Sequence, residues 1–358
     1  MKKFVKLSLI STAIALSLNV NATDLSSKSW SDIEQLAKKE GRVTFSVWYL
    51  QPQWRIFIKD FEKKYGIKVK IPEGSLNGNL NKLMAERDRT KGKMDVIAIG
   101  SDRFEMLYKS NVLTKLSSLP NFKLANHTLQ GVKFNDYALG FWGNQTGFAY
   151  DPLRVKENQL PQSFDEVKTY IQKYPNRFGY SDPSGGASGQ AFIQRATVHL
   201  SAPADYQSSK IQDNVVKSWQ TTWDWFLTNK DKMLRTSSNA DSLTRLNDGE
   251  LDIVAAWQDH LHSLQKQGAI TSRLKFYIPK FGMPSGGNAI VIAKNTKHPA
   301  ASMLLVNYLV SRNAQEKLNE QFGVRILDNT TGEKDIIFFN YDYANKLKTE
   351  FAQKVVTK

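Results

Sequence analysis

The sequence predicts an α/β fold arranged as two α/β units, and three observations predict it. Residues 43–71 read as strand, helix and strand, residues 150–275 repeat the same kind of alternation, and a glycine-rich aromatic stretch at 139–151 joins the two. Strands alternating with amphipathic helices indicate a largely parallel sheet covered by helices.

The elements follow in order. Ser31 and Glu34 have capping-box spacing, Leu36 and Ala37 share a face, and Gly41 stops this first helix. Residues 43–49, VTFSVWY, have the β-branched and aromatic pattern of a buried strand. Pro52 starts a helix that sets Trp54, Phe57, Ile58, Phe61 and Tyr65 on one face before Gly66. A strand at 68–71, a polar helix near 80–89 and the core strand DVIAIG at 95–100 complete the first unit. Ligands of open α/β sheets sit beyond the carboxyl ends of strands. Trp48, Tyr49, Ser101 and Asp102 are therefore candidate contacts, with core packing of the two aromatics and capping by Asp102 as the competing readings.

LGFWGNQTGFAYDP, residues 139–152, holds three glycines, aromatics and a closing proline, and marks a chain crossing. Ser163 and Glu166 cap another helix; Phe178 and Tyr180 precede SDPSGGASG at 181–189. Helices near 213–228 and 240–246 and a strand at 252–257 fill the second unit. The chain continues with FGMPSGGNAIVIAK and a helix from Pro299 with Ala300, Leu304 and Tyr308 on one face.

The 358 residues, 41% of them hydrophobic, suffice for two cores and exclude disorder as the reading. Lys2, Lys3 and Lys6, the apolar run 7–20 and the small-residue exit Val20-Asn21-Ala22 read as a secretory signal cleaved after Ala22. The absence of cysteine removes disulfides, thiol catalysis, cysteine zinc sites and a lipidated cysteine. A formal charge of +15, or +12 without the three signal lysines, favours anions. The lysines are dispersed, so nucleic-acid binding is not expected.

In order along the chain, WYLQPQWRIFIKDFEKKYGIKVKI, KGKMDVIAIGSDRFEMLYKSNVL, TGFAYDP, LNDGELDIVAAW and FGMPSGGNAIVIAKNTKHPAASMLLVNYLVS span nearly all of the mature chain. Together they resemble the extracellular solute-binding proteins of ABC importers, a broad group with relatives for ferric iron, thiamine, polyamines, phosphonates and sugar phosphates. The resemblance implies the type II-like, two-lobed periplasmic-binding-protein fold with its ligand in the interlobe cleft. It implies an N-terminal lobe of residues 23–148 and 278–325, a C-terminal lobe of 149–277, and a helical segment, 326–358, packed on the lobes. It also implies a soluble, monomeric periplasmic receptor that closes on a small-molecule solute and is recognised by an inner-membrane ABC permease. No cofactor, metal or catalytic activity is expected.

The sharpest local feature is the turn Ser184, Gly185, Gly186, Ala187, Ser188 and Gly189 ahead of a helix. Glycines admit close backbone approach, and serine hydroxyls with free helix amides suit a phosphate or carboxylate. Plain helix capping is the competing reading. The turn has neither the spacing of a G-x-S-x-G nucleophile elbow nor a Walker lysine, and His260 and His262, facing one way on a strand, make no metal signature. Trp48, Tyr49, Trp142 and Trp257 stand near strand ends or crossings, where they can line a flat ligand, and Asn239 either contacts it or caps a helix. The first expectation is a phosphorylated or otherwise anionic nutrient, such as a phosphorylated B-vitamin or a sugar phosphate. The alternatives are a cationic solute (thiamine or a polyamine) countered by Glu73, Asp102, Asp182, Asp241 or Asp259, a ferric ion, and a secreted hydrolase.

Overall fold

The computed structural model of the chain describes residues 25, 27–331 and 335–357; the expected export signal, 1–22, lies outside them. Helix α1 (Trp30–Glu40) is capped by Ser29, whose Oγ accepts from the Asp32 amide. The cap thus precedes Ser31 by two residues, because Ser29 has the extended backbone that a capping residue needs. Gly41 ends the helix at φ 67°. Strand β1 (Arg42–Ser46) stops short of the aromatic pair, so Trp48 and Tyr49 leave the sheet. The face expected after Pro52 is made by two consecutive helices, α2 (Gln51–Phe57) and α3 (Lys59–Tyr65), which bury Trp54, Phe57, Ile58 and Phe61. Strand β2 (Lys68–Lys70), helix α4 (Leu76–Ala85), strand β3 (Val96–Gly100) and helix α5 (Phe104–Lys109) follow. A small hairpin of β4 (Thr128–Leu129) and β5 (Val132–Lys133) precedes the twelve-residue strand β6 (Leu139–Tyr150).

Helix α6 (Phe164–Lys173) carries the expected capping box, Ser163 Oγ accepting from the Glu166 amide while Glu166 accepts from the Ser163 amide. The second unit continues through β7 (Phe178–Ser181), α7 (Ala187–Leu200), α8 (Asp213–Ser218) and α9 (Gln220–Thr228). Next come β8 (Met233–Thr236), α10 (Asn239–Asn247), β9 (Ile253–Trp257), α11 (Gln258–Lys266) and β10 (Lys275–Tyr277). His260 and His262 therefore lie on a helix, not a strand. Strand β11 (Ser285–Ile292) and helices α12 (Pro299–Leu309) and α13 (Arg312–Phe322) return to the first unit, and α14 (Tyr341–Phe351) comes last.

The strands run β2-β1-β3-β11-β6-β9-β7-β8, with β10 also on β6. Parallel pairs flank each end, and the antiparallel β11 and β6 sit in the middle. β6 is the pivot: residues up to Gln145 pair with β11, and Thr146–Tyr150 pair with β9 and β10. One core gathers Phe45, Trp54, Phe141 and Leu305; another gathers Phe148, Phe178, Phe192 and Phe226. Helix α14 adds Tyr343, Leu347 and Phe351 to the latter. Between α13 and α14 the Arg325 amide donates to the Gly143 carbonyl (2.7 Å), and the Ser285 amide donates to the Ile336 carbonyl (2.8 Å), so this stretch lies over the middle strands.

Candidate functional site

A cavity of about 380 Å³ opens between the two units. The first unit supplies Trp48, Tyr49 and Leu50 from the β1–α2 connection, Asn288 of β11 and Phe322 of α13, while α11 supplies Asp259, His260 and Ser263; Trp142 and Asn144 come from the shared strand β6. The connection turns sharply because Leu50 adopts φ 52°, a left-handed conformation uncommon for a side-chain-bearing residue. Both aromatic rings of the connection line the cavity and pack against the first core. Trp48 meets Tyr49 (4.9 Å) and Tyr49 meets Trp142 (5.1 Å) edge to face, while Trp142 and Phe322, 5.2 Å apart, are tilted at 54°. Such packing fixes the wall by shape and by the ring quadrupoles.

The polar content of this wall is small and uneven. Asn144 Nδ2 donates to Asp259 Oδ2 at 3.0 Å, whereas Asp259 Oδ1 is closed off from solvent without a hydrogen-bond partner. Burial pushes the Asp259 carboxyl up to about 6, against the opposing pull of the Asp259 and His260 amides at the start of α11 and of Asn144. The Tyr49 hydroxyl is likewise enclosed without a partner of good geometry, and burial raises its pKa well above the ordinary phenol value. Burial lowers the His260 pKa, so that ring is neutral near pH 7.

The five carboxylates expected to counter a cationic solute divide sharply. Glu73 pairs with Arg55, Asp102 with Arg103 (3.2 Å), Asp182 with Arg235 and Asp241 with Arg245 (2.9 Å). Asp259 alone of the five has no arginine beside it, and among the described residues the cavity wall includes no Lys or Arg.

The expected site residues are not all in one place. Trp48, Tyr49 and Trp142 line the cavity. Ser101 is buried and donates to Gln130 Oε1, Asp102 is exposed, and Trp257, at the end of β9, stacks on Phe338 at 5.9 Å and 28°. The 184–189 turn lies at the end of β7 against the β8–α10 connection and contributes nothing to the cavity wall.

Within that turn both serine hydroxyls and the amides of Ser184, Gly185, Gly186, Ser188 and Gly189 already have partners. Asp182 accepts from the Ser184 hydroxyl and amide, and its backbone carbonyl accepts from the Gly185 and Gly186 amides. Burial alone would raise the Asp182 carboxyl, but the Ser184 donors and Arg235 outweigh it and hold it below the usual range. Asn239 Oδ1 accepts from the Ser188 hydroxyl (2.7 Å) and amide (3.3 Å) and from the Ser181 hydroxyl (3.2 Å), while the Gly189 amide donates to Ser181 Oγ (3.0 Å). Ser238, one residue earlier than Asn239, caps α10. The glycines are there for close approach: a Cβ on Gly185 would stand 1.9 Å from the Ser237 carbonyl oxygen, and one on Gly189 1.6 Å from that of Ser181.

Arg195 of α7 donates to the Phe281 and Gly282 carbonyls (2.6 and 3.0 Å) and so braces the return connection. Sequence reasoning passed over Asn144, Asn288, Phe322 and Ser263. Their only shared signal is position, at the middle of β6 and β11 and on helices whose facing partner is far away in sequence. Among the described residues no group of three or more His, Asp or Glu side chains could hold a metal ion, and no helix is long and apolar enough to cross a membrane.

The sequence pattern of the family described as bacterial extracellular solute-binding protein matches residues 57–328. No curated protein matches the chain significantly. Among solved structures the chain is similar to the apo ferric ion-binding protein A of Pasteurella haemolytica, at 17% identity and TM-score 0.63, covering 89% of this chain and 100% of that one. It is similar to the spermidine/putrescine ABC transporter substrate-binding protein of Streptococcus pneumoniae at 13% identity and TM-score 0.63, with 87% and 98% covered. It is also similar to the periplasmic binding protein AfuA of Actinobacillus pleuropneumoniae, whose structure holds fructose-6-phosphate, at 18% identity and TM-score 0.54, with 89% and 100% covered. At these identities the likeness carries the fold alone.

Proposed function

The chain belongs to the bacterial extracellular solute-binding proteins, and on that premise we propose that it captures a small organic solute carrying a cationic group beside a flat or apolar part. As the solute-binding component of an ABC importer it works in the periplasm, hands its solute to an inner-membrane ABC permease and transforms nothing. The observation that carries the ligand class is Asp259 Oδ1, an enclosed carboxylate oxygen with no partner in a cavity walled by Trp48, Tyr49, Trp142 and Phe322. A buried carboxylate without a counterion is costly, and an ammonium or ring-nitrogen cation stacked on the aromatic faces relieves that cost. The same oxygen repels a phosphate.

The units that close on the solute are residues 23–148 with 278–325 and residues 149–277, with 326–358 packed on them. The support for this is that the cavity wall draws on elements of both α/β units, joined through β6. Solute bound between them favours the closed form by its differential contacts there. A phosphorylated or otherwise anionic nutrient is the second reading, favoured by the +12 charge of the mature chain and by the Ser184–Gly189 turn. For this reading Asp182 and Asn239 would have to release the turn's donors.

Native mass spectrometry of gently purified protein identifies a retained solute directly. Calorimetry then separates the readings with thiamine and spermidine against glucose 6-phosphate and pyridoxal phosphate. The cationic reading expects the first pair to bind and Asp259→Asn to weaken them by about 30-fold or more, the scale of truncating one partner of a buried charge pair. Binding of the phosphorylated pair alone, lost in a Ser184→Ala/Ser188→Ala double variant, would refute it.

A further inference from the structure

An enclosed carboxylate is balanced either by a cation or by a proton. Among the described residues the protein itself brings no cation to Asp259. The titratable groups facing it are Tyr49, from the β1–α2 connection, and His260 on its own helix; burial keeps the phenol protonated and lowers the imidazole pKa, so that ring is neutral near pH 7. β6 presents Asn144, β11 presents Asn288 and α13 presents Phe322, none of them charged. The cationic side chains of the neighbouring α10 and α13 are engaged elsewhere, Arg245 with Asp241 and Glu250, Lys317 with Asp60 and Arg312 with Glu316. The side-chain hydrogen bond to the carboxylate, from Asn144, reaches Oδ2, and the amides at the start of α11 only partly offset its burial, which leaves Oδ1 as the place where a proton can sit.

We infer that in the weakly acidic range capture is a proton-for-cation exchange at Asp259: there the solute-free receptor carries a proton on the carboxyl group, and the cationic group of the solute expels it. This rests on the cationic reading of the cavity given above. The O–H bond of the carboxylic acid breaks, the proton leaves to solvent through the mouth of the cavity, and the ionised carboxylate pairs with the incoming cation. Nothing is oxidised or reduced, and the charge inside the cavity changes little. The receptor thereby becomes pH-sensitive in the weakly acidic range. With the carboxyl raised to about 6, affinity is flat above about pH 7 and falls close to tenfold per pH unit below about pH 5.5.

Calorimetry of the mature full-length protein tests this with putrescine and thiamine as probes, in buffers of differing ionisation enthalpy at pH 5.5 and 7.5. The expected result is release of about 0.8 proton per bound putrescine at pH 5.5 and almost none at pH 7.5, from the fraction of Asp259 protonated at each pH. Carboxyl carbon NMR of the protein without probe should show one aspartate titrating near 6, a resonance missing from Asp259→Asn. Binding at pH 5.5 without proton release, or an Asp259 resonance titrating near the ordinary aspartate value of 3.8, overturns the exchange and leaves the cationic reading standing. Failure of both probes to bind at pH 7.5 overturns both.

Discussion

Replacing Asp259 by asparagine should make the solute-free protein more stable, and only above weakly acidic pH. The carboxyl is raised from 3.8 to about 6, mainly by burial. At about 1.4 kcal/mol per pKa unit, the ionised form therefore costs the folded state about 3 kcal/mol at pH 8. The folded chain holds this proton up to about pH 6, whereas the unfolded chain releases it near 4. The group's favourable contribution is thus fully present below about pH 4 and is lost as pH rises through 6. Asparagine has nearly the same shape, keeps an oxygen for the Asn144 donor and carries no charge at any pH. Differential scanning calorimetry from pH 4.5 to 8 should show the variant melting about 4 °C higher than the wild type at pH 8, given the entropy of unfolding a chain of this size. The gap should shrink to about a third of that at pH 4.5. A variant that melts lower at pH 8, or a gap of equal size at both ends, would show that Asp259 is solvated or already balanced, and the reasoning about the cavity would fail with it.

Three further outcomes follow from the packing. Asn239→Ala leaves the buried Ser181 and Ser188 hydroxyls without their shared acceptor, so urea melts should show a loss of about 2–3 kcal/mol; a loss under 0.5 kcal/mol, the size of an ordinary surface change, would mean that Asn239 does not hold the turn. Gly189→Ala drives a Cβ to within 1.6 Å of the Ser181 carbonyl oxygen and should cost about 3 kcal/mol or more, while Gly66→Ala, with open space and only its φ of 70° to oppose it, should cost about 1–2 kcal/mol. Equal costs in chemical denaturation would argue against the close approach. Arg273→Met removes the two 3.0 Å contacts to the buried Asp151 carboxylate, and the expected loss at pH 7 is about 3 kcal/mol. Burial would raise Asp151, but Arg273, the Leu153 amide and Arg154 hold it below the usual carboxylate range. That stabilisation is present above the ordinary aspartate pKa and disappears as pH falls through the depressed one, so melts of wild type and variant should converge only in strong acid. Convergence already at pH 5 would contradict it.

Local pattern was enough for most elements because their signals are short-range. The Ser163–Glu166 capping box, the glycine stop at 41 and the apolar face on α2 and α3 each depend on residues within a few positions. The first cap moved to Ser29 because capping depends on backbone conformation as well as residue type, and spacing alone does not carry that. His260 and His262 read as strand neighbours since five apolar and aromatic residues precede them; the helix begins at Gln258, directly after Trp257.

The site was legible only in part. Trp48, Tyr49 and Trp142 stood out because aromatics at strand ends are few and placed by topology. Whether the 184–189 donors are free depended on Asp182 beside them and on Asn239, some fifty residues further on. Likewise, five carboxylates were equivalent in the sequence, and only packing separated them: four acquired arginines, and Asp259 acquired the walls supplied by Tyr49, Trp142 and Phe322.

By itself the sequence determined the α/β class, the order of elements, the crossing strand and the resemblance to exported solute receptors, because hydrophobic period, caps and turns are written within a few residues of one another. Only the tertiary structure decided which polar groups remain without partners. Burial is a property of what folds over a side chain, and for Asp259 those covering residues lie up to about two hundred positions away in the chain.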